Sequence, residues 1–370
     1  MVYNDIKHII PHFTFEGTYA SSRELKSGNI NTTYLLEYRD GDREIPYTLQ
    51  KINTYVFRDP EGVMRNIEAV TAHIRGSLRK SGGSADRQVL ELVRTDAGDV
   101  MHRDGEGGVW RVYRYIADAM ALDVVRDHGQ MEEVGSAFGR FQRCLSDFPA
   151  HRLTEAIPDF HNTPVRFGTF MRSVRADAAG RAAEAGEEID FFMRREGMMG
   201  EIVRLLGTGG LPLRVTHNDT KSNNVLLDSH TGKSLCVIDL DTVMPGSSLY
   251  DYGDMVRFGA SAAKEDEEDA SRVRLDMDKA RAFTRGFIRE TAGFLQPGEI
   301  ERLPLGIKVI TAELAMRFLT DYLDGDKYFK TDGPRHNLVR ARAQIALLKD
   351  VERREAELED MAGAFLRAYA

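Results

Sequence analysis

The chain has 370 residues, 42% of them hydrophobic and 29% charged, with a formal net charge of −8. That length supports two units with separate cores, and the negative balance speaks against a nucleic-acid partner. The two cysteines, Cys144 and Cys236, lie too far apart in sequence to suggest a disulfide framework, which fits a reducing compartment.

The opening residues Met1-Val2-Tyr3-Asn4-Asp5 lack the basic and then apolar pattern of a secretion signal. No apolar run approaches the ~18 residues that a membrane helix needs. The expectation is a cytoplasmic protein without a membrane partner, a monomer or weak homo-oligomer. There is no internal repeat and no low-complexity segment.

Residues 30–38 are rich in β-formers and run into Arg39-Asp40-Gly41-Asp42, a hairpin turn signal. The return strand is predicted from Ile45 to Ile52. Val63, Ile67, Val70 and Ile74 recur at helical spacing and predict a helix over 61–80. Two more strands are predicted, Val89–Val93 and Val109–Ile116. From about residue 130 the pattern becomes helical, first over 131–148 and then through most of 164–206. Gly207-Thr208-Gly209-Gly210 ends that stretch. Residues 213–245 alternate between apolar and polar around short loops, and helices resume after about 275. Ile345, Leu348, Leu358, Met361 and Phe365 predict one last amphipathic helix. The fold class is therefore α+β, with a β-rich region over 1–117 and a mainly helical one over 118–370.

The strongest chemical signal is His217-Asn218-Asp219-Thr220-Lys221-Ser222-Asn223-Asn224, of the form H-x-D-x-x-x-x-N, followed by Ile238-Asp239-Leu240-Asp241. Phosphoryl transfer asks for positioning, a base beside the acceptor hydroxyl and cations on the phosphates. Asp219 supplies the base. Asn224 offers an amide oxygen and Asp239 a carboxylate, hard donors of the kind magnesium prefers. A hairpin made of Val225-Leu226-Leu227 and Val237-Ile238 would bring those two metal ligands near one another. The alternative, an aspartate that turns the backbone beside plain loop asparagines, does not account for the whole pattern. His217 reads as a loop-holding residue rather than a proton carrier.

This segment resembles the catalytic loop of the aminoglycoside phosphotransferase and choline kinase group, which shares the protein-kinase fold. More closely, the chain resembles the bacterial N-acetylhexosamine 1-kinases. The stretches that carry the resemblance are Asn29 to Leu35, Trp110-Arg111-Val112-Tyr113, Gly135 to Gly139, Leu211 to Asn224, Ile238 to Phe258, Met316 to Leu319 through Tyr328-Phe329, and His336 to Arg340. The resemblance implies a bilobal protein-kinase-like fold, with a small antiparallel sheet and one helix followed by a hinge and a helical lobe. It implies ATP and Mg2+ as cofactors, a small-molecule sugar as substrate, and adenine against a hinge near Arg114, Tyr115 and Ile116.

For the phosphates, the resemblance points to Gly28, Asn31, Thr32 and Thr33, where a plain β-turn is the competing reading. Kinases pair a strand lysine with a helix glutamate. Here Glu68 suits the glutamate role, but the strand position holds Gln50. Lys51 beside it faces the opposite side of the strand. For the sugar, the resemblance implies Asp219, Arg317 and Tyr328. Arg317 would donate to hydroxyls or an amide oxygen, unless it pairs with Asp321 or Glu313. Tyr328 would stack on the sugar or belong to the core. The related kinases carry a histidine where this chain has Asn29, a difference expected to alter substrate preference. The acidic run 265–269 reads as a solvated loop.

Overall fold

The computed structural model describes residues 6–26, 30–82 and 84–370. The chain divides into two compact units. The first comprises Met1–Met120, His151–Pro158 and Leu226–Met244, and the second Ala121–Ala150, Asp159–Val225 and Pro245–Ala370.

In the first unit, β1 (Thr18–Leu25), β2 (Thr32–Asp40), β3 (Arg43–Ile52) and β6 (Val109–Arg114) follow one another across an antiparallel sheet. Two short strands, β4 (Leu92–Val93) and β5 (His102–Arg103), share the far edge of β6. Gly41 closes the β2–β3 hairpin at φ +59°, a backbone state that side chains resist. Tyr34, Leu36, Tyr38, Tyr47, Leu49 and Val112 pack with Ile9 and Phe13 into an apolar core. Helix α1 (Pro60–Lys80) starts where Asp59 accepts the Gly62 N–H at 2.9 Å, with proline in the first turn. It buries Val63, Ile67, Val70 and Ile74, the positions that the helical spacing picks out.

Three small strands follow in a second sheet, β7 (Ala119–Ala121), β9 (Val225–Asp228) and β10 (Ser234–Val237), in the order β10-β9-β7. A two-stranded ladder joins β8 (Arg214–Thr216) to β11 (Met244–Gly246).

The second unit is mainly helical. Its helices are α2 (His128–Cys144), α3 (Thr163–Ala176), α4 (Gly186–Met193), α5 (Glu196–Thr208), α6 (Ser248–Gly259), α7 (Met277–Thr291), α8 (Pro297–Ile300), α9 (Leu303–Leu323), α10 (His336–Arg353) and α11 (Glu355–Tyr369). Helix α9 is buried nearly all round, with Ala312, Ala315, Phe318, Leu319 and Tyr322 in one core with Phe170, Phe192 and Leu348. It meets α6 backbone to backbone. A Cβ on Gly306 would stand 2.0 Å from the Leu249 carbonyl oxygen, and one on Gly253 would stand 2.3 Å from the Gly306 carbonyl.

Three expectations change. The strand predicted over Val89–Val93 is reduced to Leu92–Val93 on the edge of β6. β1, which the sequence reading left unassigned, is a full edge strand with no buried residue, hidden by its polar composition. The last predicted helix is two, α10 and α11, which meet at Arg354. No glycine or proline marks that break. The buried Asp350 carboxylate accepts the Leu275 N–H at 2.8 Å and also bonds Arg354, so tertiary contacts hold the junction. Among the described residues, no helix is long and apolar enough to cross a membrane.

In an open helix, glycine to alanine would gain about 1 kcal/mol. At the α6–α9 contact the added methyl has no room, so Gly306→Ala is expected to destabilise the protein by about 2 kcal/mol. A fall in thermal midpoint by calorimetry checks this, and an unchanged or raised midpoint contradicts it.

Candidate active site

The H-x-D segment lies in the second unit, between β8 and β9, and helix α6 holds it. Asp251 receives the main-chain N–H of His217 at 2.9 Å and of Asn218 at 2.8 Å, while Gln142 donates to it at 2.8 Å. Asn218 adopts φ +64°, a left-handed state that asparagine tolerates better than most residues. One turn along α6, Asp254 accepts the Thr220 N–H at 3.1 Å, and the Thr220 hydroxyl donates to the Asp251 carbonyl at 2.7 Å. The Ser222 hydroxyl donates to the Leu122 carbonyl at 2.9 Å. The His217 ring is fully buried, edge-on to Phe138 and Phe141 of α2, and its Nδ1 accepts the Asp219 N–H at 3.3 Å. It braces the loop.

The two carboxylates on α6 are stabilised differently. Burial pushes the Asp251 carboxyl above the usual range, and the neighbouring His217 ring and the N–H bonds only partly oppose it. Burial also pushes the Asp254 carboxyl up. There the charges of Arg257 and Lys221 and the Arg257 hydrogen bond overcome it and leave the group below the usual range. Arg257 is itself buried, 2.9 Å from Asp254.

Asp219 is partly exposed. Lys221 reaches one of its oxygens at 2.7 Å, and the Asn224 side-chain nitrogen donates to the other at 3.2 Å and to the Asp219 carbonyl at 2.8 Å. Burial lowers the Lys221 ammonium, and the charge and hydrogen bond of Asp219 reverse that and keep it above its ordinary value. With its nitrogen turned to Asp219, Asn224 directs its amide oxygen the other way. Lys221 stood inside the motif without an assigned role, since a lysine in a loop carries no signal of its own.

On α9, Glu313 is buried against His161 at 3.0 Å, the Thr163 hydroxyl at 2.7 Å and Arg166 at 3.3 Å. Asp321 accepts the N–H groups of Lys327, Tyr328 and Phe329 at 2.8–2.9 Å and so shapes the loop after α9. Neither acid pairs with Arg317. Its guanidinium rests over the rings of Tyr328 at 5.8 Å and Phe329 at 5.5 Å, and Tyr328 is 71% exposed. Arg317 and Tyr328 are thus brought together, and Tyr328 is no core residue.

In the first unit, Asp239 is exposed at φ +59° and ψ +59°, opening the 3-10 turn Leu240–Thr242. Asp241 in that turn is buried, paired with the fully buried Arg111, and accepts Asn31 Nδ2 at 2.6 Å. Asn31 Oδ1 receives the Asn53 N–H at 2.9 Å. Gln50 faces Thr33 across the strands, donates to its hydroxyl at 3.1 Å and accepts from Arg111 at 3.0 Å. Thr32 pairs with Lys51, which turns to the other face and lies over Trp110 at 5.3 Å. Glu68 bonds neither Gln50 nor Lys51. It pairs with Arg94 at 2.5 Å, and both line a surface cavity of about 670 Å³. The Arg114 and Tyr115 N–H groups are engaged by the carbonyls of Glu91 at 2.9 Å and Pro46 at 3.1 Å, and Ile116 follows, half-buried. Gly28 and Asn29 lie outside the described residues.

Residues 21–287 match the model of the phosphotransferase enzyme family, well over half of the chain. The chain belongs to that family. Among solved structures, an aminoglycoside phosphotransferase from Alicyclobacillus acidocaldarius is 11% identical with a TM-score of 0.57, covering 97% of this chain and 96% of that one. A microcompartment-associated aminopropanol kinase is 14% identical at TM-score 0.54, covering 95% and 97%. A choline kinase from Cryptosporidium parvum is 12% identical at TM-score 0.54, covering 95% and 94%. These likenesses show a shared fold, the protein-kinase-like one expected from the sequence. A curated relative, ribonuclease Y of Lawsonia intracellularis, is 24% identical over 283 residues, 74% of this chain and 46% of that protein. The chain thus spans less than half the length of that relative, and at this identity no activity carries over.

In this phosphotransferase family member, breaking the buried Asp254–Arg257 pair from one side strands a carboxylate. Arg257→Met is expected to cost about 3–5 kcal/mol. Because Asp254 sits below its usual value, the pair stabilises the fold fully above about pH 4, and the contribution fades as acid protonates Asp254. The gap in thermal midpoint between wild type and Arg257→Met should be wide at neutral pH and narrow in acid. A gap independent of pH contradicts this account.

Proposed function

We propose that this protein is an ATP-dependent small-molecule kinase that phosphorylates the anomeric hydroxyl of an N-acetylhexosamine, GlcNAc or GalNAc, to the sugar 1-phosphate. The observation that carries the kinase reading is the catalytic segment itself. Asp219 is a half-exposed carboxylate on a loop fixed by Asp251 and Asp254, with Asn224 bonded to it. Asp219 accepts the proton of the acceptor hydroxyl as its oxygen bonds to the γ-phosphorus. The bond from that phosphorus to the β–γ bridging oxygen breaks, and ADP leaves.

The donor set fits magnesium. Asn224 turns its amide oxygen away from Asp219, and Asp239 offers an exposed carboxylate. The hairpin of β9 and β10 supports their partnership, since Asn224 precedes the first strand and Asp239 follows soon after the second. Magnesium, when bound, offsets charge on the phosphate oxygens. Gly28, Asn31, Thr32, Thr33, Gln50 and the Arg114–Ile116 segment remain the proposed nucleotide contacts.

Arg317 supports a neutral, oxygen-rich acceptor. Among the described residues no carboxylate hydrogen-bonds it, though Glu313 lies within range of its charge, and it lies beside the exposed Tyr328 ring, an arrangement suited to a sugar face and its hydroxyl or amide oxygens. The second reading, an amino alcohol or aminoglycoside as acceptor, is favoured by the aminopropanol and choline kinases that share the fold. A cationic amine needs an acid to receive it. The buried acids Asp254, Glu299 and Glu313 already carry Arg257, Arg214 and Arg166 as partners, which supports the sugar.

Asp219→Asn should lower turnover by about 100-fold or more while ATP binding survives. Full activity in that variant removes the proposed base. Arg317→Leu should raise KM for the sugar about tenfold with little change for ATP. A shift in the ATP constant alone would contradict its place at the acceptor. Phosphorus and proton NMR of the product from GlcNAc should report phosphate on C1. Turnover with choline or an aminoglycoside and none with any hexosamine would favour the second reading.

A further inference from the structure

The sheet of the first unit contains a buried arginine with no part in the proposed reaction. Arg111 on β6 stands opposite Gln50 of β3 and is 1% exposed. One guanidinium nitrogen bonds Asp241, Nε donates to Gln50 at 3.0 Å, and the group lies 5.2 Å from the Tyr113 ring centroid. So enclosed, it has no path to a ligand phosphate. A buried ion pair is also a poor source of net stability, because desolvation offsets most of the attraction. What such a pair does supply is position.

The position it sets is that of the turn bearing Asp239. Asp241 lies inside the 3-10 turn Leu240–Thr242, and Asp239 is the residue that opens it, in the left-handed state. Arg111 and Asn31 hold the carboxylate of Asp241 from the sheet side. From the helix side, Asn66 of α1 donates to the Val243 carbonyl at 3.0 Å, just past the turn. The turn is therefore pinned to both the sheet and the helix. Aspartate tolerates the left-handed region better than most residues, and these contacts on either side of the turn fix where that strained backbone sits.

We infer that Arg111 is a positioning residue, which holds Asp241 and through it presets the Asp239 carboxylate for a divalent cation. Within the first unit it links the sheet to the turn that Asp239 opens, a link that neither Gln50 nor Glu68 makes as a charged group. The inference rests on the kinase reading, in which Asp239 is a metal ligand.

The test uses the full chain, Mn2+ as a spectroscopic probe, and ADP. Electron paramagnetic resonance titrations follow Mn2+ binding in the presence of ADP for wild type, Arg111→Lys, Arg111→Met and the double variant Arg111→Met with Asp241→Leu. Arg111→Met should weaken Mn2+ about 10- to 100-fold, the range seen when a group that orients a metal ligand is lost. ADP binding without metal should weaken less than Mn2+ binding does, since of the proposed nucleotide contacts only Asn31, Gln50 and its neighbour Thr33 belong to this network. Arg111→Lys keeps the charge but loses the fork to Gln50, and should fall between the two.

The double variant removes both buried charges and should recover the thermal midpoint but not the Mn2+ affinity. Recovery of both, or wild-type Mn2+ affinity in a folded Arg111→Met, overturns the positioning role and leaves the kinase reading standing. Should wild type itself bind no Mn2+ with ADP, both fall together.

Discussion

Two consecutive main-chain N–H groups, those of His217 and Asn218, point into the carboxylate of Asp251, and the H-x-D segment is built around that contact. A peptide in the left-handed conformation does not continue any regular ladder, so its N–H groups need another acceptor. Asp251 supplies one from a helix buried on every side. Burial works against the charge of Asp251, and N–H dipoles answer only part of that cost. The acid is therefore committed to the loop. Asp254, one turn on, is balanced by the cation of Arg257 and takes the Thr220 N–H. Together they fix a loop of polar residues around Asp219, which is what the proposed reaction, catalysed by positioning, would require.

The first unit solves a related problem by different means. Residues on alternating faces of β2, β3 and β6 segregate into an apolar side and a polar stripe of Thr33, Gln50 and Arg111. That stripe joins Asp241 and Asn31 into a single network, each member satisfied by the next. Networks of this kind tolerate little partial loss, since one removed member leaves its neighbours buried and unsatisfied. Glu68, by contrast, is engaged at the surface with Arg94, where an ion pair has little energetic weight.

The helical pattern of α1 and the β2–β3 hairpin were plain in the sequence. Each rests on a local rule, spacing of apolar side chains in one case and a turn signal in the other. β1 was hidden because an exposed edge strand has no apolar face to reveal it. The break at Arg354 was hidden because the apolar spacing runs across it, and a carboxylate at position 350 acts on it through space. In the candidate site, spacing alone picked out Asp219, Asn224 and Asp239 as the proposed base and metal ligands. The partners of Glu68 and Arg317 were not legible, since the acids nearest Arg317 along its own helix turn out to serve other groups.

By itself the sequence determined the α+β order of elements, the H-x-D-x-x-x-x-N motif and the two faces of β3, because each follows from chemistry within a few residues. Only the tertiary structure decided that Arg111 meets Asp241, that Asp251 and Asp254 carry the H-x-D segment, and that Arg317 lies beside Tyr328 with no carboxylate in hydrogen-bond contact. Those pairings join residues from different elements, 130 positions apart for Arg111 and Asp241. Which charged groups meet after such a separation depends on how the elements pack, and no local pattern encodes it.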